Sequence, residues 1–268
     1  MITPDPAAQA SIAEPFDRAA RRAARNRCAG DFADFAFLKH HMAGDLAARA
    51  AGFERRWSRV LDLGAHDGSA SAMVPSEETI RCDCAAGFSP QVICDEDRLP
   101  FAAAQFDLVL SAGSLNGVND LPGALVQIRQ CLRPDGIFLA SFVGGASLAD
   151  QRQALIAADL AASDGASPRL HPMIDGREAP SLLQRAGFAD PVVDIAETVV
   201  HYRDPLAMRR DLRGMGEGNY LRARARRPIG RTRLKAMTEH LETLRDDTGR
   251  IAAHLEIVTM TGRVPAKG

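Results

Sequence analysis

Three carboxylates and a histidine fall where a nucleotide-sized ligand could be gripped. VLDLGAHDG, residues 60–68, holds Asp62 in an apolar run and then Gly64, His66 and Gly68. Glycines directly after a strand let the backbone approach a ligand, and the following helix start supplies amide donors. Asp83 ends the run TIRCD, placed to accept hydrogen bonds from ribose hydroxyls. Asp95, in VICDEDRLPF, is placed to accept from an exocyclic amine such as that of adenine. In an open α/β sheet, ligands sit beyond the carboxyl ends of the strands at the switch point. These groups therefore work together only if the runs bearing them are neighbouring parallel strands.

Other residues have both a chemical and a structural reading. An imidazole at 66 leaves three: a drifted site with weakened or absent ligand binding, a tolerated side chain turned to solvent, or an acid/base group titrating near neutrality. Asp62 either braces the glycine loop or touches the ligand. Arg169 and His171, in SPRLHP, serve a substrate or belong to a turn shaped by Pro168 and Pro172. Arg213 and Glu217, in DLRGMGEGN, shape an acceptor pocket or pair with each other at a helix end. His40-His41 lies on a helix, where adjacent residues face different ways, so no two-histidine metal site is expected. The five cysteines are Cys28, Cys82, Cys84, Cys94 and Cys131. An odd count without a secretory signal points to reduced thiols, and the absence of paired CxxC spacing argues against a metal.

The elements that must position these groups follow from hydrophobic spacing. Residues 1–15 are rich in Ala and Pro and are expected to be flexible. Residues 16–54 read as two helices divided near Gly30-Asp31. Apolar runs at 60–63, 79–82, 91–94, 106–112 and 136–142 read as strands. The clearest helix is 121–132, where Leu121, Leu125, Ile128 and Leu132 share a face. Pro134-Asp135-Gly136 predicts a turn into the next strand. A helix near 147–162, a loop at 164–172, a helix at 177–186 closed by Gly187 and a run at 192–200 follow. The segment 205–250 reads as mostly helical and basic, and 254–262 as a last strand. Alternating strands and helices predict a parallel sheet with right-handed crossovers. The expected organisation is a flexible 1–15, helical 16–56, an α/β core at 57–200 and a basic elaboration at 201–268 ending in a strand.

Charge sets limits on partners. The formal net charge of −1 gives no general pull toward nucleic acid or membrane. Between Arg203 and Lys235, however, basic residues outnumber acidic ones roughly three to one, which reads either as a solvated helical surface or as a patch able to meet an acidic partner, such as a protein substrate or assembly partner. No apolar stretch of about eighteen residues exists. The Arg-rich segment at 16–27 is offset by Asp5, Glu14 and Asp17, so a cytoplasmic location is the expectation.

The ordered series of glycine turn, acid, acid, FDLVLSAGSL and LRPDG resembles the class I methyltransferases that use S-adenosylmethionine. FDR…RR…R near 16–27, FLKHHMAGDLAARA, VNDLPGAL, LLQRAGF and DLRGMGEGN narrow the likeness. They resemble the respiratory complex I assembly factor 5 family, whose bacterial relatives are often labelled biotin-pathway carboxyl methyltransferases. The resemblance implies a Rossmann-like, mostly parallel seven-stranded sheet of order 3-2-1-4-5-7-6 with one antiparallel strand. It implies S-adenosylmethionine held by Asp62, Gly64, His66, Gly68, Asp83, Asp95, Glu96 and Ser111, and an acceptor near Asn116, Arg169, His171, Arg213 and Glu217.

Methyl transfer from a sulfonium needs mainly alignment, so a missing acid/base dyad does not count against it. Three functions stay open: methyl transfer, a non-catalytic assembly role, and the protein-arginine hydroxylation attached to the mitochondrial branch. Four departures surround the implied pocket. His66 replaces the middle glycine of the family's loop. Only seven residues, Cys84 to Pro90, separate Asp83 from Gln91, where a parallel crossover needs about a dozen. Pro75 shortens the first crossover. Asn116-Gly117 stands where a His-Trp pair is usual. Cofactor binding is thus expected to be retained, weakened or lost.

Overall fold

The computed structural model describes residues 14–161, 168–226 and 228–266. The expected flexible terminus up to residue 13, and residues 164–167 of the expected loop, lie outside these. Helices α1 (Arg18–Cys28) and α2 (Phe37–Ala51) flank a short 3-10 turn at Phe32–Asp34. Strands β1 (Trp57–Leu63), β2 (Ser76–Asp83) and β3 (Val92–Ile93) follow, with helix α3 (Ser69–Ala72) between the first two. The order continues β4 (Phe106–Ala112), α4 (Leu121–Cys131), β5 (Leu132–Val143), α5 (Ala149–Leu160), α6 (Ala179–Ala186) and β6 (Ala189–Tyr202). Helices α7 (Ala207–Gly214) and α8 (Arg231–Glu242) precede β7 (Ile251–Arg263). Among the described residues no helix is long and apolar enough to cross a membrane.

The seven strands form one sheet of order β3-β2-β1-β4-β5-β7-β6. β1 to β5 pair in parallel, and β7 runs antiparallel to both β5 and β6. Apolar residues alternate to both sides, as a doubly covered sheet requires. Leu61, Val109 and Phe138 pack with Leu125 and Ile128 of α4 and Leu183 of α6. Val60, Leu108, Leu110 and Leu139 pack with Leu38, Met42 and Leu46 of α2. Asp120 caps α4 by accepting from the Gly123 N–H, and Pro122 occupies its first turn.

Both crossovers around the site are as short as their sequence dictates. α3 is four residues long, and a single 3-10 turn at Ala86–Phe88 stands between β2 and β3. The N-terminal helices fill the space: Cys28, Phe32 and Ala36 pack against Ala85 and Phe88. Asn26 Oδ1 accepts from the Gly87 N–H at 2.8 Å.

Three expectations need correction. Pro134-Asp135-Gly136 is not a turn before a strand but lies inside β5, where the β4 pairing shifts register and Asp135 takes φ +65°. The irregularity is a bulge, which absorbs turn-type residues without ending a strand. The segment 205–250 is helical only at α7 and α8. Cys82 and Cys94 are not free thiols; they form a disulfide joining the carboxyl ends of β2 and β3. Parallel neighbours with Cys82 paired to Val92 bring the two within bridging distance, which an argument from compartment cannot see.

Candidate functional site

The strand order sets Gly64, Asp83 and Asp95–Glu96 side by side at the carboxyl ends of β1, β2 and β3. The groups meet as the sequence predicts, but not around open space. Helix α1 turns three residues inward, Arg21, Arg25 and Cys28, at the i, i+4, i+7 spacing of one face. Its buried face is therefore mostly arginine, and both guanidinium groups enter the hollow.

Arg25 Nε donates to Asp83 Oδ1 at 3.2 Å, and its Nη2 donates to Oδ2. The same carboxylate accepts from the His66 N–H at 3.0 Å and the Ala85 N–H at 2.8 Å. Arg21 grips Glu96 through both nitrogens, Nη1 to Oε2 at 2.5 Å and Nη2 to Oε1 at 2.8 Å. Ser114 Oγ also donates to Glu96 Oε1. Burial raises the Glu96 pKa, but the charge and hydrogen bonds of Arg21 outweigh it and hold the group at about 2.

The two glycines nearest the hollow make room for these partners. A Cβ on Gly64 would lie 2.0 Å from Ser114 Oγ, and one on Gly117 would lie 2.5 Å from Arg21 Nε. Arg21 stands in the space that a side chain at Gly117 would need.

His66 is neither turned to solvent nor placed to act as an acid or base. Its ring is 3% exposed, stacks on Phe32 at 5.2 Å and meets Phe88 edge-on at 5.6 Å. Nε2 has no hydrogen-bond partner. Burial, with Arg25, Lys39 and Arg21 nearby, pushes the imidazole pKa well down, so the ring stays neutral. Its φ of +50° is the strained region for a side chain of this size.

Of the remaining implied cofactor groups, Asp62 braces α3 by accepting from the Ser71 N–H at 3.2 Å, and burial lifts its pKa to about 6. Gly68 sits at φ +80° before α3. Asp95 lies 3.9 Å from Arg18, which pairs more closely with Asp97 at 2.9 Å. Ser111 Oγ is buried without a partner.

As placed, this hollow does not fit a nucleoside. Both Asp83 oxygens and both Glu96 oxygens are already engaged by the chain's own donors, and the space a close-approach glycine would leave is occupied. Sequence reasoning places Arg21 and Arg25 on a helix but not in the hollow; their i, i+4, i+7 spacing with Cys28 is the signal that marks them as one inward face.

The implied acceptor residues lie elsewhere, around a separate cavity of about 1400 Å³ beside the ends of β4 and β5. Asn116, Arg169, His171, Arg213 and Glu217 all line it, whereas Gly64, Asp83, Asp95 and Glu96 do not. Arg213 and Glu217 do not pair. Glu217 instead accepts from buried Lys39 at 2.7 Å, and that charge overcomes burial to hold its pKa at about 2. Lys39 also donates to the Gly113 carbonyl, and burial lowers its own pKa. Arg169 pairs with Asp159 at 3.2 Å. His171 Nε2 accepts from the Tyr220 N–H at 3.3 Å, and its ring packs on Tyr220 at 4.0 Å. Asn116 Oδ1 is buried without a partner.

Comparison with known proteins agrees with the strand order. A methyltransferase domain family matches residues 34–191, more than half of the chain. The protein called arginine-hydroxylase NDUFAF5, mitochondrial, is 32% identical in Danio rerio, over 93% of this chain and 83% of that one. The human protein of the same name is 34% identical over 92% of this chain and 76% of that one. The malonyl-[acyl-carrier protein] O-methyltransferase of Laribacter hongkongensis is 28% identical over 90% and 88%. Among solved structures, the YcgJ protein of Bacillus subtilis superposes with a TM-score of 0.58 at 17% identity, covering 85% of this chain and all of that one, which speaks to the fold alone. The family match supports S-adenosylmethionine as the cofactor. The chain belongs to the S-adenosylmethionine-dependent methyltransferase-domain family, in the group that includes the NDUFAF5 proteins.

Proposed function

We propose that the chain is a S-adenosylmethionine-dependent methyltransferase whose cofactor hollow is latched by its own N-terminal helix. The cofactor binds weakly, and only as Arg25 and Arg21 give up Asp83 and Glu96. The observation that carries this reading is the saturation of Asp83 by Arg25 and two backbone amides. A nucleoside must displace a buried ion pair before it can gain its own hydrogen bonds, and breaking such a pair costs about 3–5 kcal/mol. Displacing it is therefore worth a hundredfold or more in affinity.

The acceptor is assigned to the cavity beside β4 and β5, with basic residues of 203–235 at its mouth. Its described lining carries eight cationic and two acidic side chains; Lys39, Arg169, Arg210 and Arg224 are paired with acids, and the remaining arginines favour a negatively charged acceptor or an acidic protein partner. An arginine acceptor, the kind named for the mitochondrial relatives, would meet that surplus charge unfavourably.

Native mass spectrometry of the gently purified chain tests the latch. The expected spectrum is dominated by protein without S-adenosylmethionine or its demethylated product. A stoichiometric co-purified cofactor would overturn the proposal. The same ion pairs also favour a second reading, a non-catalytic assembly protein that has kept the fold. That reading predicts no heat with millimolar cofactor even after both arginines are removed.

A further inference from the structure

Helix α7 is built like an amphipathic surface helix, yet none of its residues is buried. Met208 and Leu212 form one i, i+4 stripe, and Arg209 and Arg213 form the next; all four line the cavity. Arg209 and Arg213 are exposed and have no ion-pair partner among the described residues. Two like charges one helical turn apart repel each other, so the chain leaves unmatched positive charge directly beside Met208 and Leu212, which are half-buried against the core.

The cavity lining also carries apolar, adaptable side chains. Five of the chain's eight methionines line it: Met42, Met173, Met208, Met215 and Met237. Unbranched thioether side chains repack around irregular or flexible partners. The volume, about 1400 Å³, exceeds the range of roughly 300–1,000 Å³ usual for compact small-molecule pockets, and so suits an extended ligand. A polyanion alone would need the arginines but not the methionine wall. A neutral hydrocarbon would need the wall but not the arginines.

We infer that the cavity binds a single-chain amphipathic anion, its hydrocarbon chain against the methionines and its carboxylate or phosphate at Arg209 and Arg213. Charge and apolar surface meet there as headgroup and chain meet in such a molecule. The inference stands apart from the cofactor question, since binding is expected with no nucleoside present.

Calorimetric titration of the full chain without cofactor, below the micelle concentration of each probe, tests it. Dodecanoate and dodecyl phosphate should each bind saturably at one per chain, and their ratio tells which headgroup is preferred. Dodecyltrimethylammonium, with the same tail and opposite charge, should bind at least tenfold more weakly, and so should hexanoate. In the Arg209→Glu/Arg213→Glu variant, both on an exposed helix face, dodecanoate should weaken at least tenfold while the cationic probe tightens. Equal affinity for the anionic and cationic probes, many molecules per chain, no saturable binding, or tighter binding of a short oligonucleotide than of dodecanoate would each overturn the assignment.

Discussion

The two halves of the sheet's carboxyl edge use arginine in opposite ways. Above β1, β2 and β3, Arg21 and Arg25 are buried, and each faces a carboxylate. Beside β4 and β5, Arg209 and Arg213 are exposed and face none. In the first region the chain has supplied both the acids and the cations that answer them, so little is left for a ligand to satisfy. In the second it has left these two cations unanswered, although Lys39 and Arg169 in the same lining are paired with Glu217 and Asp159. An acid at the end of a parallel strand marks a place where a ligand could bind; whether one does depends on which partner reaches the acid first.

That contrast is exposed to direct challenge. The largest expected difference is in stability. Arg25→Ala leaves Asp83 buried and unpaired and should cost about 3–5 kcal/mol in urea unfolding. Arg213→Ala, on the exposed helix, should stay within about 0.5 kcal/mol. Similar losses from the two would erase the distinction.

The disulfide belongs wholly to the closed half. It joins Cys82 to Cys94 across twelve positions, a loop whose closure is worth about 2–4 kcal/mol. Cys82→Ser/Cys94→Ser should lower the unfolding free energy by that amount, and a reductant should do the same to the wild type but not to the variant. A reductant with no effect on the wild type would remove the crosslink from the account.

The next effect is on pH dependence. The His66 pKa is depressed in the folded state, so the unfolded chain binds the extra proton. Stability is present above about 6.5 and is lost as pH falls below it. Asp62, raised to about 6, has the opposite sign: its contribution falls as pH rises from about 4 through 6. Comparing wild type with His66→Gly cancels the aspartate. The variant should lose stability less steeply between about pH 7 and 5, and equal slopes would mean that the ring titrates freely. At pH 7 the net change should be small, because relief of the φ of +50° offsets the lost stack on Phe32.

Much of the fold was legible in the chain. The apolar runs gave the strands, the motif series implied their order, and seven residues between Asp83 and Gln91 announced the missing crossover helix. Gly187 closes α6 at φ +87° as its position suggested. What was not legible is tertiary. Arg21 meets Glu96 across 75 positions and Arg25 meets Asp83 across 58, and no local pattern encodes those distances. The missing crossover helix and Gly117 read as losses, whereas together they clear the path by which α1 reaches the hollow. Likewise, Pro134-Asp135-Gly136 has turn chemistry, and only its β4 and β7 neighbours decide that the strand continues through it. On the acceptor side, Asn116, Arg169, His171, Arg213 and Glu217 come together as lining, although the Arg213–Glu217 pairing gave way to Lys39.

Calorimetric titration of S-adenosylmethionine into the wild type and the Arg21→Ala/Arg25→Ala variant addresses the latch most directly, with thermal melts to verify folding and hydrogen exchange of α1 amides as an independent readout on the wild type. The variant should bind at least tenfold more tightly than the wild type, and millimolar cofactor should speed exchange within residues 18–28. Micromolar binding by the wild type, unchanged or weakened in the variant and with α1 equally protected, would mean that the two arginines do not stand in the cofactor's way.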